Sequence, residues 1–433
     1  MANEPIIRRG YRQSEDQDAI QFRAGSGLAA LDMALTRRVD LFIIGDSNAM
    51  NGGLGFNHGL SVALSNLYGL YATGLASCGE NTGSGASTSP VYSTFCTGGA
   101  FTGALAALDS YMPQSANATP ANLFPLDYYY QAAGTAAGAM LGAGAGYIDT
   151  TAALRGHLCW GSFASGTGNF QMQARLSYGG YTQQAIGAVI STNTGANTVN
   201  FAQLNIPALA GRGNVELRTA PAGGNVNGPF LGYYQRLEQP SRQSGISVHT
   251  LSYLGGSGLY QFAACFNALA DKQLQLVLGE GRRLQLQAGQ TPIIVIYVNS
   301  GLNDRNNVSQ PSLGPQQDAT AASAAGYVDN LQALVTRVET AYINAGWPLT
   351  ELFWVIAPSH RISDPDDTQL VSYRAAAQSW AATRYRTSFV DHASLVTSAY
   401  MTANSWYASA IDQAHLSQTG YESLAALAFR PAR

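Results

Sequence analysis

Apolar runs of strand length punctuate the 433-residue sequence at Val39–Ile44 (VDLFII), residues 293–298 (IIVIYV) and residues 352–357 (LFWVIA), with a shorter one at Phe389 and Val390. Side chains of a strand alternate between its two faces, so a run that is apolar at successive positions must be covered on both. Such strands belong to parallel sheets packed between helices. Amphipathic helices fill the intervals. Tyr327, Leu331, Leu334, Val335, Val338 and Tyr342 fall on one helical face ended by Gly346 and Pro348, and Leu370, Tyr373, Ala377, Trp380 and Ala381 fall on another. A short helix over residues 28–37 precedes the first run. Strand alternating with helix predicts an α/β, doubly wound parallel sheet. Ligands of such sheets lie beyond the carboxyl ends of the strands, which places the expected chemistry just after Ile44 and Val298.

The length exceeds that of one ordinary domain, so two domains, or one carrying a large insertion, are expected. From about residue 76 to 245 the texture changes to Gly, Ser, Thr and Asn, first irregular and then strand-like. Phe170, Met172, Ala174, Leu176 and Tyr178 alternate with polar neighbours, and Val215 with Leu217 repeats the pattern. Asn193-Thr-Gly195 and Gly223-Gly224-Asn225 read as turns between antiparallel strands. The expected division is therefore residues 1–75 with 246–433 as the α/β domain and 76–245 as a β-rich insertion, a β-sandwich from about residue 165.

Three motifs carry chemistry. Gly45-Asp46-Ser47-Asn48 follows the first buried strand, where a serine would project from the sheet edge. A serine hydroxyl is a weak nucleophile until a neighbouring base takes its proton. Near the other end of the chain stands Asp412-Gln-Ala-His415, whose three-residue separation lets the carboxylate orient the imidazole and leave its second nitrogen for the serine. Gly301-Leu-Asn303-Asp304 follows the second strand, and an asparagine there can aim its amide N–H at a developing oxyanion. Singly, each has a plainer reading as turn, surface loop or helix cap. Their joint occurrence, in order and each beside a sheet edge, resembles the SGNH (GDSL-type) hydrolase family.

That resemblance implies a three-layer, flavodoxin-like fold, Ser47 as nucleophile, Asp412 and His415 completing the triad, and Asn303 as an oxyanion donor. In the family a glycine after the second strand completes the oxyanion hole with the backbone N–H of the serine. Residues 246–251 resemble that strand and Leu254-Gly255-Gly256-Ser257 that glycine block, with a helix-like stretch following to Val277. Gly256 is assigned, and Gly79, nearer to the usual spacing from the serine, is the competitor. The chain departs from the family in the insertion, because Ser47 and Asn303 stand 256 positions apart (303 − 47). The resemblance further implies small acyl esters, often acetyl groups on carbohydrate, and no metal or organic cofactor.

Other features narrow the partners. Charged residues are 11% of the chain, the net charge is −3 and Lys272 is the only lysine, which gives no electrostatic footprint for nucleic acid or anionic lipid. A neutral polar ligand, a small-molecule or glycan ester, suits such a surface. Ala132–Gly146 is broken by five glycines and is too short to span a bilayer, so no membrane anchor is expected. Residues 1–11 carry no signal-type apolar run, which leaves the compartment open, extracellular or virion-associated sites included. Cys78, Cys96, Cys159 and Cys265 lack metal-ligand spacing, and Cys78 with Cys96 reads equally as a disulfide or as free thiols. His58 lies near Ser47 in sequence, and His392 follows Asp391, where adjacent strand side chains would face apart. Asp364-Pro-Asp366-Asp367 reads as a helix cap before Leu370 rather than a calcium site. Two further functions remain open: a structural or receptor-binding component of a virus or cell surface with a vestigial or accessory hydrolase domain, and an acyltransferase. Oligomeric state is left open.

Overall fold

The computed structural model describes residues 26–46, 56–74, 93–97, 100–103, 128–132, 140–145, 148–162, 169–178, 181–191, 198–209, 215–227, 230–251, 258–268, 271–305, 323–362, 367–410 and 414–429. Strand β1 (Arg38–Gly45) comes first. Ten more strands lead to the middle of the chain: β2 (Ser93–Thr97), β3 (Ala100–Gly103), β4 (Tyr128–Ala132), β5 (Met140–Ala145), β6 (Leu154–Ser162), β7 (Asn169–Tyr178), β8 (Tyr181–Ser191), β9 (Thr198–Ile206), β10 (Val215–Asn227) and β11 (Phe230–Glu238). The last four are β12 (Gly245–Thr250), β13 (Ile294–Asn299), β14 (Leu352–Ile356) and β15 (Thr387–Phe389). The helices are α1 (Gly27–Asp32), α2 (Phe56–Tyr68), α3 (Leu259–Ala268), α4 (Asp271–Gln287), α5 (Ala324–Asn344), α6 (Thr368–Ala382), α7 (His392–Leu395), α8 (Ser398–Ala403) and α9 (Gln418–Ala428).

The central sheet runs β12-β1-β13-β14-β15, every neighbouring pair parallel. Counted within this sheet the order is 2-1-3-4-5. Its two faces follow from the alternation of the apolar runs. Phe42, Ile44, Ile296, Val298 and Trp354 pack with α3, α4, α5 and α6 on one side. Leu41, Ile43, Val295, Tyr297 and Val355 pack with α1, α2 and α9 on the other. The α/β doubly wound, three-layer architecture is thus the observed one, and burying both faces is what orders the helices into two layers. The cap expected before Leu370 is present, Asp367 Oδ1 accepting from the N–H groups of Gln369 and Leu370, and two serines cap further helices: Ser323 Oγ accepts from Gly326 N and Ser417 Oγ from Gly420 N. Asp364 and Asp366 lie outside the described residues.

The inserted strands form two five-stranded antiparallel sheets, β2-β5-β10-β7-β8 and β3-β4-β11-β6-β9, the β-sandwich expected of the insertion. Five of these strands precede Phe170, where the alternating pattern first becomes legible. Strands such as β5 (MLGAGA) are built of small residues and show no contrast between faces for periodicity to register. Gly223-Gly224-Asn225 is not a turn between strands. It lies inside β10, where pairing with β7 shifts register between Pro221 and Val226. Pairing with β5 has already stopped at Thr219, so the glycine pair marks a bulge beside a proline that the ladder has released. Asn193–Gly195 and Cys78 fall outside the described residues, as do the side chains of Cys96 and Cys265, whereas Cys159 is buried in β6.

Asp40 interrupts the first apolar run, and it is fully buried. It holds the sandwich to the sheet. Arg236 on β11 donates from Nη2 to Asp40 Oδ1 at 3.0 Å and to Ser247 Oγ at 2.8 Å, and from Nε to the Thr73 carbonyl at 2.7 Å. His249 Nε2 meets the same Oδ1 at 2.7 Å, Gln285 donates to Oδ2 at 2.8 Å, and Tyr71 Oη donates to Oδ2 as well. Beside this cluster Arg38 Nη1 donates to Glu238 Oε1 at 2.7 Å, and His157 Nε2 meets Glu238 Oε2 at 2.7 Å. Burial would raise the pKa of both carboxyls, but Arg236, His249 and Tyr71 outweigh it at Asp40, and His157 and Arg38 outweigh it at Glu238, holding each at about 2. Because these values lie below the ordinary ones, the stabilisation is present above about pH 4.5 and is lost as pH falls through about 2. Arg236→Met leaves Asp40 and Glu280 buried beside a missing cation. It is expected to lower the unfolding free energy by about 3–5 kcal/mol at pH 7 in urea titration, with a smaller deficit in acid.

Candidate active site

An order of 2-1-3-4-5 reverses direction between β1 and β13, and the crevice at that switch, beyond the carboxyl ends, is where doubly wound sheets bind ligands. The two strands end level, Gly45 opposite Asn299. On the other flank of β1, Thr250 pairs with Ile43 and the Leu251 N–H donates to the Ile43 carbonyl at 2.7 Å, so the chain leaves β12 at the same edge. Three exits therefore lie side by side: the segment after Gly45, the segment after Leu251, and the loop Gly301–Arg305. Ser47 and Gly256, expected on the first two, lie outside the described residues, as do Asp412 and Gly79 and the side chain of His58. Asn303 and His415 are described.

The loop bearing Asn303 is pinned on every side. Ser359 N donates to the Ser300 carbonyl at 2.9 Å, and Asn299 Nδ2 donates to the Ala357 carbonyl at 3.0 Å, joining the exits of β13 and β14. Tyr327 Oη donates to the Ser300 carbonyl at 3.3 Å and stacks on Tyr373 with ring centroids 4.7 Å apart. Tyr373 Oη donates to the Asp304 carbonyl at 2.7 Å. Leu302 is buried in the core, while Arg305 pairs with Asp367 at 3.0 Å. Asn303 is thereby left half-buried on a fixed turn. Burial, and then the charges of Asp304 and Asp46, push the Tyr327 phenol well above its ordinary pKa, so it remains a neutral donor.

His415 comes to this edge from the far end of the chain. Tyr407 and Leu416 form an antiparallel bridge, Ala408 N donates to the His415 carbonyl at 2.9 Å, and Ser417 N donates to the Trp406 carbonyl at 2.7 Å. Tyr407 Oη donates to the Arg361 carbonyl at 3.0 Å, which anchors this reversal on the loop after β14. A second tie comes from α9 crossing α2 in the first turns of both helices. A Cβ on Gly59 would lie 2.5 Å from the Tyr421 carbonyl group, so only glycine admits the approach. The chain just before α2 leads back towards Ser47, and the chain just before α9 holds His415.

Three of the other described histidines have separate employment. His157 and His249 belong to the buried charged cluster, where burial lowers the pKa of each. His392 is not on a strand: Asp391 caps α7, accepting from Ala393 N at 3.0 Å, and His392 Nε2 meets Tyr297 Oη at 2.6 Å. Burial and the neighbouring His360 lower His392 to about 3, too weak for a base at neutral pH. Among the described residues no group of three His, Cys, Asp or Glu could hold a metal, and no helix is long and apolar enough to cross a membrane. Sequence reading gave no role to Asp304, Tyr327 or Tyr373. Asp304 was visible within its motif, but the two tyrosines reach the loop from helices, which no local spacing reveals.

No protein-family model matches the chain, and neither does any curated protein. Among solved structures it is similar to a peptidoglycan O-acetylesterase described as in action, at 14% identity over 92% of each chain with a TM-score of 0.51. A family two carbohydrate esterase from Clostridium thermocellum in complex with cellohexaose aligns with 69% of this chain and 91% of its own at 11% identity, with a TM-score of 0.28. One from Cellvibrio japonicus aligns with 78% and 96%, again at 11% identity, with a TM-score of 0.26. The first likeness spans nearly the whole of both chains and concerns the fold. The class so defined is a three-layer, doubly wound α/β fold carrying a β-sandwich insertion. Gly59→Val, which forces α2 from α9, is expected to lower stability by about 1–3 kcal/mol in thermal unfolding.

Proposed function

We propose that the chain is a serine esterase that removes small acyl groups, acetyl foremost, from carbohydrate. The observation that carries this reading is the convergence of three distant stretches on one sheet edge. The exits of β1 and β13 lie level at the carboxyl edge, the second leading to the loop of Asn303, and the reversal holding His415 is tied to the loop after β14 at the same edge through Tyr407 Oη and the Arg361 carbonyl, which supports the reading. In the proposed reaction His415 takes the proton of Ser47 Oγ as that oxygen attacks the ester carbonyl carbon, and Asp412 orients the imidazole. The N–H groups of Ser47 and Gly256 and the Asn303 side-chain amide hold the resulting oxyanion. Collapse expels the alcohol, which takes its proton from the imidazolium, and water then releases the acid from the acyl-enzyme by the same steps.

In this reading residues 1–75 and 246–433 make the hydrolase unit, and residues 76–245 make a sparsely charged unit rich in Tyr, Asn and Gln that recognises the sugar. Aromatic faces stack on sugar rings, and amides bond their hydroxyls. The reading is in keeping with the acetylesterase that shares this fold along nearly its full length. Because an imidazole accepts a proton only when neutral, turnover rises with pH across the neutral range.

Ser47→Ala is expected to abolish hydrolysis of p-nitrophenyl acetate while leaving the circular dichroism spectrum unchanged; hydrolysis retained by that variant overturns the proposal. Asn303→Ala is expected to lower kcat by roughly 10²–10³, the loss typical of one oxyanion donor. Acetate release from a panel of acetylated glycans, followed by chromatography, tests the substrate class.

A further inference from the structure

Helix α3 starts without a cap of its own. Gly258 stands at the N-cap position, with Phe262 N donating to its carbonyl at 3.2 Å, and glycine has no side chain to accept from the first turn. Half of a capping box is present all the same, since Gly258 N donates to Gln261 Oε1 at 2.9 Å. The missing half comes from another loop. Asp304 Oδ1 and Oδ2 accept from Leu259 N at 2.8 and 3.0 Å, and Oδ1 accepts from Tyr260 N at 3.4 Å. Gly258 is what admits this carboxylate, because a Cβ there would lie 2.9 Å from Asp304 Oδ1 and 2.8 Å from the Tyr260 ring.

We propose that Asp304 is a positioning residue for the oxyanion donor Asn303: its carboxylate clamps the loop that presents Asn303 to the start of α3. The inference rests on the esterase reading above. Asn303 sits on a loop that leaves the end of β13, so holding it in place requires a tie to a neighbouring element. Asp304 provides it from both directions, since its carboxylate accepts from Leu259 and Tyr260 on one side and from the backbone N–H groups of Gly301 and Asp304 itself on the other. An ionised carboxylate is an acceptor at every lone pair, whereas an amide of the same shape would turn two N–H donors towards other donors.

Its surroundings agree with a role beyond simple capping. Asp304 is fully buried among Tyr260 of α3, Tyr327 of α5 and Tyr373 of α6, with Asp46 beyond Tyr327 and with Arg305 of its own loop turned to Asp367. Burial raises its pKa to about 6 against the lowering effect of the four backbone N–H groups. A folded-state value above the ordinary 3.8 means that the ionised form detracts from stability as pH rises through 6. The ionised clamp is therefore complete only above about pH 6.

Asp304→Asn separates these effects. At pH 8 it removes a buried charge together with part of the clamp, so its melting temperature is expected to stay within a few degrees of the wild type. On p-nitrophenyl acetate its kcat is expected to fall roughly 10- to 100-fold, as a misplaced oxyanion donor would cause, with KM within about twofold. Below pH 6 the plot of log(kcat/KM) against pH is expected to fall more steeply in the wild type, which must ionise Asp304, than in Asp304→Asn. Wild-type kcat and an unchanged slope in the variant would overturn the inference. If the variant does not fold, Gly258→Ala, which crowds the carboxylate from the opposite side, decides: a loss of kcat in a folded protein supports the clamp, and wild-type kcat rejects it. Ser47→Ala keeps the two readings apart, because activity surviving in that variant removes the esterase itself, whatever Asp304 does.

Discussion

Burial of strand β1 on both faces is the constraint from which the arrangement follows. Its residues alternate between two apolar cores, and a strand so placed must have neighbours on both edges and helices above and below. β12 and β13 occupy those edges in parallel, and the chain can return to each only through a crossover. The direction of winding reverses at β1, so a strand buried at every position is also the one whose carboxyl end opens into the switch crevice. The chemistry is placed by the same packing that makes the sheet stable.

Asp40 lies in that strand roughly 16 Å before its carboxyl end, taking about 3.3 Å per residue over the five residues to Gly45. A carboxylate there would be ruinous without partners, because removing an ion from water demands a compensating charge and hydrogen bonds. Arg236 supplies the charge from β11, and His249, Tyr71 and Gln285 supply bonds from three other places in the chain. The sandwich is thus held to the sheet by groups that can be satisfied only together. Its attachment lies near the amino end of β1 and leaves the opposite end to the site.

At the carboxyl edge order is conferred differently. The loops there cannot pair as strands, and their backbone groups are satisfied by neighbouring loops and by side chains sent from the helices. Tyr327 and Tyr373, both buried, bond the carbonyls of Ser300 and Asp304 and stack on one another. Asp304 in turn caps a helix that has none of its own. Asn303 needs no unusual geometry to be held in place; its neighbours on either side are immobilised.

The runs at 39–44, 293–298 and 352–357 announce a buried parallel sheet, because a run of successive apolar residues is a local property that can be read in a single sequence. The serine, asparagine and histidine motifs were legible for the same reason, since each is short and stands beside a strand end or helix start that can be recognised locally. The early sandwich strands were not, because glycine and alanine carry no facial contrast, and Gly223-Gly224-Asn225 looked like a turn until its neighbours showed it to be a bulge. Nothing in the chain's linear order pairs Asp40 with Arg236, 196 residues away, or Asp304 with Leu259, 45 away. Those contacts exist only once packing has brought the segments together, because a buried charge selects its partner by proximity in space.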